Sequence, residues 1–186
     1  VIKKPEDLAN VPISVGYQSG SHYSTIQALE PFLSDDEINL SFSDGLLFRR
    51  MEHMIDGNIP AVSLFSGPYY FMYQLGFRKV LDTTFMMSAM VAEDASADDI
   101  EKYFTALKRA QADIDLRPEK YTHYFKQEFP ERFKDQIDTR LFGPGERLVF
   151  EEYSKDFFDK SRQWIDEKGI FKEGLGDRSF EESVII

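Results

Sequence analysis

The run of residues 19–23, Ser-Gly-Ser-His-Tyr, places two hydroxyls, an imidazole and a phenol side by side. A helix is predicted to begin within this run, so backbone N–H groups and serine hydroxyls would converge at the positive end of the helix dipole. Such a turn suits a carboxylate, a sulfonate, a phosphate or the polar edge of a ring. A plain structural role fits equally, with Ser21 as helix N-cap and Gly20 as tight turn.

The elements that would position this run alternate between strand and helix patterns. Strands are predicted at residues 11–17, 38–42, 61–65 and 79–83, and helices at 22–33, 45–56 and 68–75. This alternation is typical of an α/β fold with an open, mainly parallel sheet and flanking helices. In such sheets ligands bind beyond the carboxyl ends of the strands.

Each of these strand ends is followed by at least one hydroxyl side chain. The candidate ligand-binding residues at the strand ends are Ser19, Gly20, Ser21, His22, Tyr23, Asp44, Ser66, Gly67 and Thr83. Ser19 and Ser21 would donate hydrogen bonds to a solute, and His22 and Tyr23 would form a wall beside it. Asp44 would meet an amine or a ring N–H, which works against a purely anionic solute.

The second half of the chain has a different pattern. The apolar residues 85–91 are predicted as a crossing strand, with Phe85 and its methionine neighbours in core or hinge packing. Ser96 and Asp99 form a helix-start signature, and apolar positions recur at helical spacing up to residue 114. Further helices are predicted at 118–129 and 154–168, with Gly143-Pro144-Gly145 as a rigid turn between them.

Three enzymatic motifs are not met. A nucleophile elbow requires Gly-x-Ser-x-Gly, but in Gly16-Tyr17-Gln18-Ser19-Gly20 the serine comes one place too late. The three histidines are far apart in the sequence, which gives no metal-ligand spacing, and no phosphate loop is present. The chain also has no cysteine, so a thiol nucleophile and a thiolate metal site are excluded.

Composition narrows the classes of partner. The formal net charge is −11, which argues against a nucleic-acid partner because a phosphate backbone requires a basic surface. No apolar run approaches the roughly 18 residues of a membrane span. The Arg49-Arg50 pair could supply a counter-charge to an anion, but we assign both residues to a solvated helix face.

Several segments, taken in order, resemble one family. Residues 11–30 look like the opening of the second lobe of type II solute-binding proteins of ABC transporters, in the branch that handles nitrate, sulfonates, taurine and thiamine-precursor pyrimidines. Residues 6–10 are similar to the sequence that precedes the first strand in this family, and residues 54–62 to the sequence that precedes the third strand. Gly67-Pro68-Tyr69 resembles its "trp-glu-pro-tyr" corner without Trp and Glu, and Arg117-Pro118-Glu119 resembles its "asn-pro-glu".

The resemblance implies a fold, a function and a location. Residues 1–90 would be the second α/β lobe, and residues 91–186 a helical segment that packs on a first lobe preceding this chain. The protein would bind a small polar or anionic solute between the lobes, without a cofactor, and deliver it to an ABC permease. It would be a monomer in the periplasm or in an extracytoplasmic, membrane-anchored location.

Two alternatives stay open. The scaffold could carry an enzyme that acts on a small aromatic or pyrimidine-like substrate, with His22 as the first acid–base candidate. The chain could also be a ligand-sensing domain of a longer protein. The family's fungal pyrimidine synthases use a cysteine-containing motif, which this chain lacks.

Overall fold

A computed structural model describes residues 1–42, 46–88, 90–92, 94–147, 150–151, 153–171, 176 and 178–184. Its strands are β1 (Ile13–Ser14), β2 (Leu40–Ser41) and β3 (Ala61–Val62), and its helices are α1 (Gly20–Leu29), α2 (Leu47–Ile55), α3 (Ser66–Gln74), α4 (Ala97–Leu116), α5 (Phe125–Glu128), α6 (Lys155–Glu167) and α7 (Phe180–Ser183). Short 3₁₀ turns occupy Pro5–Leu8, Pro118–Lys120, Thr122–Tyr124, Glu131–Phe133 and Thr139–Leu141.

The three strands form a parallel sheet in the order β2-β1-β3. Ile13 of β1 is paired with Leu40 on one side and with Ala61 on the other. A helix follows each strand, as parallel pairing requires, because each return crossing needs a long connection. The predicted α/β class with a parallel sheet is therefore confirmed, and all three strands lie inside predicted segments.

The predicted fourth strand, residues 79–83, is wrong: the structure assigns no strand there. The carboxylate of Asp82 instead accepts hydrogen bonds from the Lys79 ammonium (2.6 Å) and from the Thr84 backbone N–H (2.9 Å). These local bonds hold the segment in an irregular conformation, in competition with strand pairing. Val80 and Leu81 still pack against the apolar core beneath the sheet.

Two other predictions for the middle of the chain are also wrong. The described residues between 85 and 91 form no strand, and Met86 and Met87 are exposed rather than packed in a core or hinge. The single helix predicted at 118–129 is broken into two 3₁₀ turns and the one-turn helix α5. Packing of Phe125 and Phe129 against Gly67 explains the break, because tertiary contacts outweigh a weak local helix preference.

Two apolar cores hold the sheet and helices in place. One contains Leu8, Ile13, Val15, Leu29 and Leu33, and so joins β1 to α1. The other joins α2 and α3 to the segment after α4, and its buried members are Met51, Phe71, Met72, Phe129, Phe133, Ile137 and Phe142.

The chain divides into two compact units. One comprises Val1–Met87 and Ser96–Leu148 and carries the sheet with α1 to α5. The other comprises Ser88–Ala95 and Val149–Ile186, where Phe158 of α6 contacts Phe180 of α7 at a ring-centroid distance of 5.6 Å. The division into residues 1–90 and 91–186, with the latter packed on another lobe, stays a prediction.

Candidate functional site: the serine loop

The serine loop, residues 16–23, connects β1 to α1 at the carboxyl edge of the sheet. Gln18 adopts a left-handed backbone (φ 48°), which non-glycine residues rarely do. This turn brings the Gln18 N–H to within 3.2 Å of the acceptor Nδ1 of His22. Helix α1 then begins at Gly20, with Ser19 as its N-cap residue. The predicted position of the loop, at a strand end and at a helix start, is thus observed.

The two serine hydroxyls form one hydrogen-bond network. Ser19 Oγ donates to the Gly16 carbonyl (2.8 Å) and lies 2.8 Å from Ser21 Oγ. Since a hydroxyl carries one proton, Ser19 has already used its own, and Ser21 must be the donor between them. Ser21 Oγ in turn accepts from the Gly16 N–H at 3.0 Å. The protons therefore point from the buried Ser21 toward the half-buried Ser19.

This arrangement replaces ordinary helix capping. The Ser19 hydroxyl caps no amide of the first turn, because it bonds to Gly16 instead. The N–H groups of Gly20 and Ser21 have no acceptor within the described part of the chain. These two amides lie at the positive end of the α1 dipole, so the loop presents hydrogen-bond donors and partial positive charge.

A buried arginine lies behind the serines. Arg50 of α2 is only 3% exposed, and its Nη1 donates to Ser21 Oγ (3.1 Å) and to the Ser63 carbonyl after β3 (2.9 Å). Within the described part of the chain its Nε has no hydrogen-bond partner, and no carboxylate there forms an ion pair with the guanidinium. Burial lowers the pKa of the guanidinium from its ordinary value, since desolvation disfavours the charged form.

Our assignment of both arginines to a solvated helix face is right for Arg49, which is exposed, and wrong for Arg50. A signal for Arg50 was present in the sequence. It lies three residues after Leu47 and four before Met54, so it falls on the apolar face of α2. A charge on such a face is costly to bury unless something compensates it.

Aromatic side chains flank the serine loop. The His22 ring stacks on Tyr23 at a centroid distance of 4.6 Å and meets Phe42 edge-on at 4.7 Å. Tyr17, which is largely exposed, contacts Phe42 at 5.3 Å. Partial burial lowers the pKa of His22, so its imidazole is neutral at pH 7 and can accept from Gln18. The predicted wall of His22 and Tyr23 is one stacked pair.

Ser66 and Gly67 lie at the start of α3, where residues that follow α4 in the chain pack against them. A Cβ added to Gly67 would be 3.0 Å from the Phe129 ring, and one added to Gly145 would be 3.2 Å from Ser66 Oγ. The Gly-Pro-Gly turn therefore packs over this helix start. No hydrogen bond joins Ser66 or Gly67 to the serine loop in the described residues, and β3 reaches the loop through Ser63 instead.

The other two candidate positions add little to the site. Asp44 lies outside the described residues, together with Ser43 and Gly45. Thr83 lies between the anchoring residue Asp82 and Phe85, and Phe85 itself contacts the loop, because its ring lies against Gly20. The prediction that Phe85 packs in a core or hinge is therefore wrong, because its half-exposed ring contacts the loop instead.

A second candidate site is a surface concavity away from the serine loop. A concavity of about 190 Å³ is lined by Ile114, Pro118, Tyr121, Thr122, Tyr124, Phe125, Glu128 and Pro144. It contains none of the predicted site residues, and the serine loop remains the better candidate because its donors converge.

Among the described residues, no group of three or more His, Asp or Glu side chains could hold a metal ion. None of the described helices is long and apolar enough to cross a membrane.

Comparison with protein-family models, with curated proteins and with solved structures found no match. The family resemblance therefore rests on the sequence segments given above.

Proposed function

We propose that the protein binds a small polar solute at the serine loop and delivers it to an ABC importer, as one lobe of a type II solute-binding protein. The single observation that carries the binding proposal is the convergence of Ser19, Ser21 and the first amides of α1 at the carboxyl edge of a parallel sheet. Ligands of open α/β sheets bind at this edge. The transport role is supported by the sequence resemblance.

The donor geometry supports a solute with acceptor atoms. Ser19 is half-buried and so can be reached from solvent, whereas Ser21 behind it is buried. Two amide N–H groups can then meet the same oxygen-rich group, and the Ser19 hydroxyl joins them when its proton turns from the Gly16 carbonyl to the solute. The stacked His22–Tyr23 pair beside them offers an aromatic surface to the rest of the solute.

A thermal-shift screen of the chain tests binding. The panel contains sulfonates, nitrate, bicarbonate, amino acids and pyrimidines. A solute present at 100 times its dissociation constant adds about 2.7 kcal/mol to the free energy of unfolding, which gives a clear increase in Tm. Ser19→Ala should abolish the shift, and the matched control Ser34→Ala, at an exposed serine bonded to Glu37, should preserve it.

The same samples separate binding from catalysis. After hours of incubation, mass spectrometry should recover the solute unchanged. Conversion of the solute to a new compound would contradict the binding-protein proposal and favour an enzyme. An equal Tm shift in wild type and Ser19→Ala would move the site away from the serine loop.

A further inference from the structure

We propose that Arg50 makes the serine loop selective for a monoanionic oxyanion, of the carboxylate or sulfonate class, by acting through Ser21 and Ser19 rather than by touching the solute. This inference rests on the proposed solute site and specifies the charge of its ligand. Arg50 is therefore a positioning residue, and its charge is the selective element.

The first step is the direction of the protons. Arg50 Nη1 donates to Ser21 Oγ, and Ser21 must donate to Ser19 Oγ because the Ser19 proton is given to the Gly16 carbonyl. Every proton in this chain points away from the guanidinium and toward the half-buried serine. Consecutive hydrogen bonds of one direction polarise one another, so the outermost donor is strengthened.

The second step is the charge that the loop can accept. A buried guanidinium, the α1 dipole and the amides of Gly20 and Ser21 all contribute positive potential at one place. An oxyanion beside Ser19 would take its proton in place of the Gly16 carbonyl and would meet both amides. A cation would face the positive end of each of these dipoles, and a neutral solute would gain the hydrogen bonds without the charge interaction.

The third step is what Arg50 does in the unliganded chain. Its Nη1 joins α2 to the end of β3 and to α1, but its Nε is buried with no acceptor among the residues that the structure describes. A guanidinium kept so far from water, with no carboxylate of the described residues beside it, is costly for a purely structural link. A bound anion near the serine loop would offset this desolvation cost, and a neutral residue at position 50 would lack that interaction.

The test compares two probes of nearly the same shape, methanesulfonate and dimethyl sulfone, which differ in charge. Amide shifts of Gly20 and Ser21 in ¹H–¹⁵N spectra report the dissociation constant of each probe. We expect the wild-type chain to bind methanesulfonate about tenfold more tightly than dimethyl sulfone or better. Arg50→Gln, which keeps amide donors but no charge, should lower this ratio severalfold, and the α1 dipole and its two amides retain the smaller remaining preference.

The controls separate charge from structure. Arg50→Lys should retain most of the preference, and Arg49→Gln at the exposed neighbour should retain all of it. A merely structural role of Arg50 would weaken both probes equally and leave their ratio unchanged, which would overturn the proposal. If Arg50→Gln does not fold, Ser21→Ala serves instead, because it removes the hydroxyl through which Arg50 reaches Ser19 and should also lower the ratio.

Failure of this inference differs from failure of the proposed function. Equal binding of the two probes by the wild-type chain would overturn charge selection and leave the solute site standing. If neither probe shifts the Gly20 and Ser21 amides, and no solute in the thermal-shift screen raises Tm, both the charge selection and the proposed solute site are overturned.

Discussion

The ring of Phe85 lies directly against the α-carbon of Gly20, at the first residue of α1. A Cβ built on Gly20 would be 2.0 Å from Cζ of Phe85, far closer than any real contact. The segment just before Phe85 is fixed by the bonds of Asp82 to Lys79 and Thr84. Phe85 thus directly follows this locally bonded segment, and its ring lies against the first residue of α1 in the serine loop.

Gly20→Ala should therefore push the Phe85 ring off the loop. We expect a loss of at most about 1 kcal/mol in the free energy of unfolding, because Phe85 is 41% exposed and its ring can turn toward solvent. In a Phe85→Ala background the same substitution should be neutral or stabilising, because alanine is the better helix residue. Urea unfolding of the four chains gives the coupling energy, and strictly additive effects would contradict the contact.

His22 should make stability depend on pH. Burial lowers its pKa below the ordinary value of 6.5, so at intermediate pH the unfolded chain binds the proton more readily than the folded one. Stability should thus fall as pH drops through 6.5 toward the folded pKa. His22→Asn, which retains an acceptor for Gln18 but does not titrate, should flatten urea midpoints measured between pH 7.5 and 5.

His22→Phe is the companion variant. It also removes the titration but loses the acceptor for the Gln18 N–H, so its midpoints should be flat and lower at every pH. An unchanged pH slope in His22→Asn would show that another group titrates.

Arg132 joins two distant parts of the chain. Its guanidinium donates one hydrogen bond to Glu52. It also forms a bidentate contact with Asp56, in which both hydrogen bonds measure 3.0 Å. The Arg132 hydrogen bond lowers the pKa of Asp56 below its ordinary 3.8, so this carboxylate stabilises the fold above that pH and the contribution is lost as pH falls further. Asp56→Asn should reduce the acid-induced loss of stability, followed by circular dichroism from pH 5 to 2.

The Asp138–Arg140 pair is the matched comparison, because the Arg140 hydrogen bond also lowers the pKa of Asp138. Asp138 pairs with Arg140 only two residues away, so the contact fixes no long-range relation. Arg132→Lys, which cannot form the bidentate contact, should lower the urea midpoint at pH 7, whereas Arg140→Lys should leave the midpoint unchanged. Equal effects of the two lysine variants would contradict a long-range role for Arg132.

Phe129 should be a major contributor to stability. It is 3% exposed and contacts Phe71 and Phe48 at ring-centroid distances of 5.5 and 5.1 Å. Phe129→Ala should cost about 3–5 kcal/mol, from lost burial and the remaining cavity. Tyr124→Ala, at a position that is 54% exposed, should change the urea midpoint little. A small effect of Phe129→Ala would mean that the segment after α4 does not belong to this core.

The sequence alone determined the α/β class, the three strands, most helix starts and the serine loop. Each follows from local patterns: alternating apolar residues, Ser96 with Asp99 before α4, and Gly57 after α2. Such signals lie within a few residues of the element that they predict. They also located Ser19 and Ser21 at a strand end.

Only the tertiary structure decided the rest, because those features depend on residues distant in the chain. Local bonds of Asp82 prevent a fourth strand, and Phe125 and Phe129 pack at Gly67 rather than continue one helix. The burial of Arg50 requires α1, α2 and the end of β3 to meet at once, 29 residues from Ser21 and 13 from Ser63. The amphipathic pattern of α2 could indicate that Arg50 faces inward, but not which groups it would meet there.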